Sequence, residues 1–183
     1  MFLPLIQKRR SIRKFQEKPV ENEKIEMLIE AALRAPSSMG HNPWEFIFVT
    51  DQTSLERLSK AKQHGSAFLR NAPLGVVICA DPDKSDVWVE DASIAATFLQ
   101  LTAESAGLSS CWIQIRERMH DGVRSAPDYV SEVLGIPRRL KVACIIAVGY
   151  PDETKSAHRK EDLPYEKVYF ERYGNLYGGA SSP

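Results

Sequence analysis

The sequence has no excess of charge in either direction: 24 lysines and arginines stand against 24 aspartates and glutamates in 183 residues. That balance argues against a general nucleic-acid or membrane-surface binder, which carries a basic excess. No apolar run approaches the roughly 20 residues that span a bilayer. The short apolar stretch Phe2–Ile6 precedes Lys8, Arg9 and Arg10, the reverse of the order in a secretory signal. A soluble, cytoplasmic protein is therefore expected. Cysteine is scarce, and Cys79, Cys111 and Cys144 each sit inside an apolar run, with no CxxC pair and no histidine at ligand spacing. They read as reduced core thiols rather than metal ligands or disulfides. Also missing are GxGxxG after a strand, GxxxxGK[ST], GxSxG and HExxH, so dedicated dinucleotide, phosphate-loop, hydrolase and zinc-protease chemistries lose their usual marks.

What is present is an ordinary globular balance, 43% hydrophobic and 26% charged side chains. A chain of this length buries about 70% of its unfolded surface and needs no covalent staple. Helical spacing of Ile25, Leu28, Ile29, Ala32 and Leu33 predicts a helix over Asn22–Ala35, stopped by Pro36. Glu45–Thr50 and Leu74–Ala80 read as strands, the second buried on both faces. A weaker helix follows Thr53 as its cap, and an alanine-rich helix, Asp91–Ala106, reads as central and buried, ended by Gly107. A strand at Cys111–Ile115, a helix at Asp128–Leu134 closed by Gly135 and Pro137, and a strand at Val142–Val148 follow. Tyr165–Phe170 alternates like an extended arm, and the residues from Gly174 onward look like a loose tail. No repeat or long linker divides the chain. The expected organisation is one α+β domain over residues 1–174, with residues 175–183 as a flexible tail.

Two segments carry chemistry. The first fourteen residues hold five positive charges and no acid, concentrated in Arg9-Arg10-Ser11-Ile12-Arg13-Lys14-Phe15. Guanidinium groups bind phosphate bidentately, and on an extended segment Arg9, Ser11 and Arg13 would share one face. The second is Ala35-Pro36-Ser37-Ser38-Met39-Gly40-His41-Asn42-Pro43-Trp44, a polar loop between a helix and a strand. Its backbone N–H groups, two hydroxyls and carboxamide suit a polar heteroaromatic ring or a ribityl chain. The four histidines, His41, His64, His120 and His158, are scattered and read as surface residues.

Together these segments resemble the nitroreductase family of FMN-dependent enzymes. The likeness continues through Asp91–Ile113, Leu134–Pro137, Val142–Pro151 and Tyr173-Gly174, so it covers about residues 5–174. It implies a nitroreductase-like fold: a central mixed β-sheet flanked by helices, in a homodimer with FMN at the subunit interface and a C-terminal arm exchanged with the partner. Arg9, Arg10, Ser11 and Arg13 would hold the FMN phosphate and ribityl chain, with Arg159 reaching the same phosphate and Lys155 assisting. Pro36, Ser37 and Ser38 would approach the flavin from the partner subunit, and Ile113 and Gln114 would line the ring with their backbone. Many relatives carry Asn and Gln where this chain has Gly40 and Asn42; Asn42 would still reach a flavin carbonyl, over a shorter distance. Trp44 and Trp112 read as packing residues, and Trp88 as a lining of the substrate mouth.

The implied reaction is a ping-pong cycle in which NADPH or NADH reduces the flavin and a nitroaromatic, quinone or similar electron-poor molecule reoxidises it. No side chain stands out as a general acid, so no catalytic residue is assigned. Two other readings stand beside it: a non-catalytic flavin or nicotinamide sensor, and a specialised flavin enzyme of dehalogenase or flavin-breakdown type.

Overall fold

The computed structural model describes residues 2–177. Along the chain come α1 (Phe2–Lys8), α2 (Asn22–Leu33), β1 (Trp44–Val49), α3 (Gln52–Ser59) and β2 (Leu74–Ala80). They are followed by α4 (Trp88–Ser105), β3 (Ser109–Gln114), α5 (Ala126–Leu134) and β4 (Lys141–Gly149). The sheet order is β1-β2-β4-β3, and each neighbouring pair runs antiparallel. Among the described residues, the expected mixed character is confined to one isolated parallel bridge, Ser11 to Ser110. A fully apolar run such as Leu74–Ala80 is equally at home in either direction once helices cover both sheet faces, so burial alone does not encode strand direction.

Alternation along the strands sorts two cores. Val77, Ile113 and Ile145 pack with Leu55 and Leu58 of α3 and Val130 of α5. Val76, Ile78, Ile146 and Val148 pack with Leu28 and Ala32 of α2 and Leu99 of α4 on the other face. A register shift between Ile78 and Cys79 interrupts the β2–β4 ladder. No helix among the described residues is long and apolar enough to cross a membrane.

Several boundaries differ from expectation for local reasons. α1 lies where no helix was expected; its seven residues bury no side chain fully, so its apolar face gives a weak periodic signal. α2 stops at Leu33, because Pro36 disfavours helical backbone at Ala35. Asp51, not Thr53, caps α3, accepting the Ser54 N–H at 2.8 Å. α5 starts at Ala126 with Ser125 as its cap, and Gly135 closes it at φ 68° as expected. α4 is buried along one face only: Ile94 and Phe98 stay 39% exposed, too much for the wholly buried helix that its composition predicts. Tyr165–Lys167 forms a 3₁₀ turn rather than part of a continuous extended arm, and Tyr169 then bridges Leu176. Residues 178–183 of the expected tail lie outside the described residues.

One polar latch ties the N-terminal segment to the sheet. The Tyr150 hydroxyl bonds both Glu21 carboxylate oxygens, at 2.9 and 2.7 Å, and accepts from Lys24 Nζ at 2.8 Å. Lys24 also donates to the Ala106 carbonyl at 2.7 Å, and Lys18 Nζ lies 3.8 Å from the Tyr150 ring centroid. The Tyr150 hydroxyl first, then the Glu21 backbone and Lys18, pull the Glu21 carboxyl from its ordinary 4.5 to about 2. A depressed carboxyl stabilises the fold fully above its unfolded value, and the contribution is lost as pH falls from about 4.5 through about 2. Tyr150→Phe is expected to flatten the pH dependence of the unfolding midpoint within that window. Equal slopes for the variant and the wild type would show that the latch does not hold Glu21.

Candidate functional site

Leaving α1, the chain lies beside the edge strand β3. Ile12 N–H donates to the Ser110 carbonyl at 3.1 Å, and Gln16 N–H to that of Tyr150 at 3.0 Å. Ile12 and Phe15 both turn into the core, three positions apart, so the segment is not a flat alternating strand. Ser11 nevertheless bridges Ser110 of β3, and Arg9, Ser11 and Arg13 all act on the neighbouring Cys111, which is 1% exposed. Burial pushes this thiol up, while Arg13, Lys155, the Ser11 hydroxyl and Arg9 pull it the other way. Cys79 is pushed up by burial to about 12, and Cys144 also rises by burial. None of the three free thiols is primed as a nucleophile.

The segment after β4 folds back over the arginines. Lys155 Nζ donates to the Ser11 carbonyl at 2.7 Å and faces Glu153 at 3.3 Å. Glu153 accepts the Arg13 backbone N–H at 2.6 Å, which is the first cause of its lowered pKa. The Arg10 guanidinium bonds the Ser156 carbonyl, next to Lys155. Arg159 forms a two-pronged pair with Asp162, at 2.9 and 2.8 Å, and makes no bond to the Arg9–Arg13 segment among the described residues. The late cation brought to the cradle within one chain is thus Lys155. Among the described residues, no carboxylate lies within 4.0 Å of the Arg9 or Arg13 guanidinium.

The second segment builds a compact loop. Ser37 Oγ donates to Asn42 Oδ1 at 2.8 Å and accepts the Asn42 N–H at 2.9 Å. Met39, Gly40 and Asn42 have φ of 50°, 71° and 45°, so the chain turns through left-handed backbone. A side chain at Gly40 would meet nothing within 4 Å, so the glycine serves the turn rather than a tight packing contact. Pro36 is exposed, and Ser37 and Ser38 are half-buried. Asp91, 2% exposed in the first turn of α4, accepts the Ser38 N–H and the Ser85 hydroxyl, each at 2.8 Å. The sequence offered Asp91 only as the opening of a helix motif; its anchoring role comes from the fold.

At the end of β3, Ile113 is fully buried, and the Gln114 side chain is spent on Trp112 Nε1 at 2.9 Å and the Arg116 carbonyl at 2.8 Å. What these two residues offer a ligand is backbone on an edge strand. Trp112 packs on the α4 side of the sheet. Trp44 packs on Phe46 with ring centroids 5.2 Å apart and planes tilted by 36°, and its buried Nε1 has no partner among the described residues. Trp88 lies 5.8 Å from the Arg116 guanidinium. Among the described residues, no three His, Cys, Asp or Glu side chains group to hold a metal ion.

The structure therefore gathers Arg9, Ser11, Arg13, Lys155 and the β3 backbone at one edge of the sheet. The Pro36–Asn42 loop leads into β1, the opposite edge. A model of the nitroreductase family matches residues 6–65 and 54–150, which contain both of these segments. The chain belongs to the nitroreductase family. A solved FMN-dependent nitroreductase from Clostridium difficile R20291 is 49% identical, with a TM-score of 0.92 over 93% of this chain and 99% of its own. A protein of Archaeoglobus fulgidus described as a candidate NADH dehydrogenase/NAD(P)H nitroreductase is 36% identical over 87% of this chain and 91% of its own length. The NADPH:FMN oxidoreductase of Vibrio harveyi, solved with NAD+, is 25% identical with a TM-score of 0.80, covering 96% of this chain and 79% of that one. Lys155 and Arg159 fall beyond the stretch matched by the nitroreductase family model.

Proposed function

We propose that this nitroreductase-family chain is an FMN-dependent oxidoreductase. It takes electrons from NADPH or NADH and delivers them to nitroaromatic, quinone or similar electron-poor small molecules. The observation that carries this reading is the Arg9–Arg13 segment laid beside β3, where Ser11 bridges Ser110 and Lys155 bonds the Ser11 carbonyl, with no carboxylate of the described residues within 4.0 Å of the Arg9 or Arg13 guanidinium. Such a donor set fits a phosphate dianion, because guanidinium forks and a hydroxyl match its oxygens in geometry and charge. Its similarity to a solved FMN-dependent nitroreductase supplies the cofactor that brings that phosphate.

FMN, held by these residues, would supply the redox chemistry that links donor to acceptor. The chain's own residues bind and orient. Arg9, Ser11 and Arg13 hold phosphate and ribityl oxygens, Arg10 supports them, and Lys155 fixes the Ser11 carbonyl. The backbone of Ile113 and Gln114 lines the ring, and no side chain is assigned a proton-transfer step. Pro36, Ser37, Ser38 and Asn42 complete the site from a second subunit. The opposite placement of their loop and the arginine segment supports this arrangement. So do the exposed apolar residues Leu33 of α2, Ile94 and Phe98 of α4, and Tyr165, Phe170 and Tyr173 in the C-terminal segment, a surface a partner would cover. In the dimer Arg159 would exchange Asp162 for the flavin phosphate. Residues 1–174 form the FMN-binding unit, and the protein works in the cytoplasm.

Sedimentation of FMN-saturated protein tests the assembly. The expected species has twice the 20.6 kDa chain mass and two flavins. A flavin-loaded monomer would contradict the shared site, and a protein that binds no FMN would overturn the function.

A further inference from the structure

Two bonds fix one carboxamide in the loop before β1. Ser37 Oγ accepts the Asn42 backbone N–H at 2.9 Å and donates its own proton to Asn42 Oδ1 at 2.8 Å. A hydroxyl has a single proton to give. Turned over, the carboxamide would aim its NH2 at an oxygen that already accepts an N–H, and the hydroxyl proton would lose its acceptor. The arrangement found therefore holds Oδ1 inward and leaves Nδ2 outward. Among the described residues Nδ2 has no hydrogen-bond partner, and Asn42 is exposed while Ser37 is half-buried.

The backbone on either side of this pair is held as well. Gly40 N–H donates to the Ser37 carbonyl at 3.1 Å, and His41 N–H to the Ser38 carbonyl at 3.0 Å. Asp91 accepts the Ser38 N–H at one end of the loop, and the Asp81 N–H donates to the Pro43 carbonyl at 2.9 Å at the other. Asn42 stands at φ 45°, a left-handed conformation that asparagine adopts more readily than most residues. The N–H groups of Ser38, Gly40, His41 and Asn42 are thus all used within the protein, and so is the Ser37 proton. The Asn42 Nδ2 remains, a donor with a fixed direction on an anchored loop. A fixed donor fits a carbonyl acceptor, which the polar end of an isoalloxazine ring carries.

We infer that Ser37 is a positioning residue, whose hydroxyl orients the Asn42 carboxamide so that Nδ2 donates to a carbonyl of the flavin ring. The inference rests on the functional reading above, in which this loop meets the flavin of a second subunit. A double-substitution cycle tests it, read by FMN affinity and by the midpoint potential of the bound FMN. Ser37→Ala should weaken FMN binding roughly three- to tenfold, as expected for one hydrogen bond. It should also lower the potential, because a donor on a ring carbonyl binds the more negative reduced ring more strongly than the oxidised one. Ser37→Thr keeps the hydroxyl and should restore both quantities. Asn42→Gly removes the carboxamide while accepting the left-handed turn, and in that background Ser37→Ala should change neither. Wild-type affinity and potential in Ser37→Ala would overturn the inference. So would an equal loss from Ser37→Ala in both backgrounds, which would make Ser37 an independent contact. A weaker affinity at an unmoved potential would also overturn it, by making Ser37 a support of the loop backbone alone. An Asn42→Gly protein that binds FMN like the wild type would take the loop away from the flavin, and the inference would fall. Wild-type protein that binds no FMN would refute the functional reading itself.

Discussion

Arg9→Ala is expected to weaken FMN binding about tenfold or more, the equivalent of the 1.5–3 kcal/mol of a hydrogen bond to a charged group. The guanidinium is half-buried and within electrostatic reach of Cys111, and no carboxylate of the described residues lies within 4.0 Å of it. It therefore has no internal partner to lose, so the substitution should cost binding while leaving the unfolding midpoint of the apoprotein nearly unchanged. Arg9→Lys should recover part of the affinity, because an ammonium keeps the charge and loses the planar fork. Titrating apoprotein with FMN by flavin fluorescence, at fixed ionic strength, reads both variants. Unchanged affinity in Arg9→Ala would move the cradle elsewhere.

Asp91→Ala is the substitution expected to cost the most stability. Its carboxylate is nearly fully buried and accepts the Ser38 N–H and the Ser85 hydroxyl, each at 2.8 Å, from two separate loops. Two hydrogen bonds to a charged acceptor are together worth about 3–6 kcal/mol, and the donors left behind stay partly buried. Its place in the first turn of α4 adds roughly 0.3–1 kcal/mol from the helix dipole. Asp91→Asn keeps one acceptor and should cost about 1–2 kcal/mol. In the proposed dimer the loop that Asp91 anchors faces the partner's flavin, so both variants should also bind FMN more weakly. Urea denaturation at fixed protein concentration measures the effect, since the apparent stability of the proposed dimer would depend on concentration. Stability of Asp91→Ala within about 0.5 kcal/mol of wild type would contradict the anchoring role.

Much of this fold is legible as local pattern. Leu74–Ala80 is apolar throughout and bounded by prolines, and β2 occupies those residues. Gly135 ends α5 because a left-handed residue is needed there, and the sequence marks it. What local pattern does not carry is long-range. The antiparallel direction of the strands follows from how connections cross the sheet, and α1 depends on its packing against α4. The two candidate binding segments are visible as residue types, but their placement at opposite edges is a matter of strand order. Asp91 lies in no local motif of binding character; only the fold brings it to Ser38 and Ser85. Arg159 and Lys155 look alike as late basic residues, and only the folded chain distinguishes the one held by Asp162 from the one that meets Ser11.

The central claim is that this nitroreductase-family chain carries FMN that a nicotinamide donor reduces. The most direct test is the visible absorbance of FMN-saturated protein, freed of unbound flavin and titrated anaerobically with NADPH and, separately, with NADH. The account predicts a flavin band that bleaches with at least one donor and returns when a quinone or nitroaromatic is added. A protein that retains no flavin, or a bound flavin that neither donor bleaches, would contradict it.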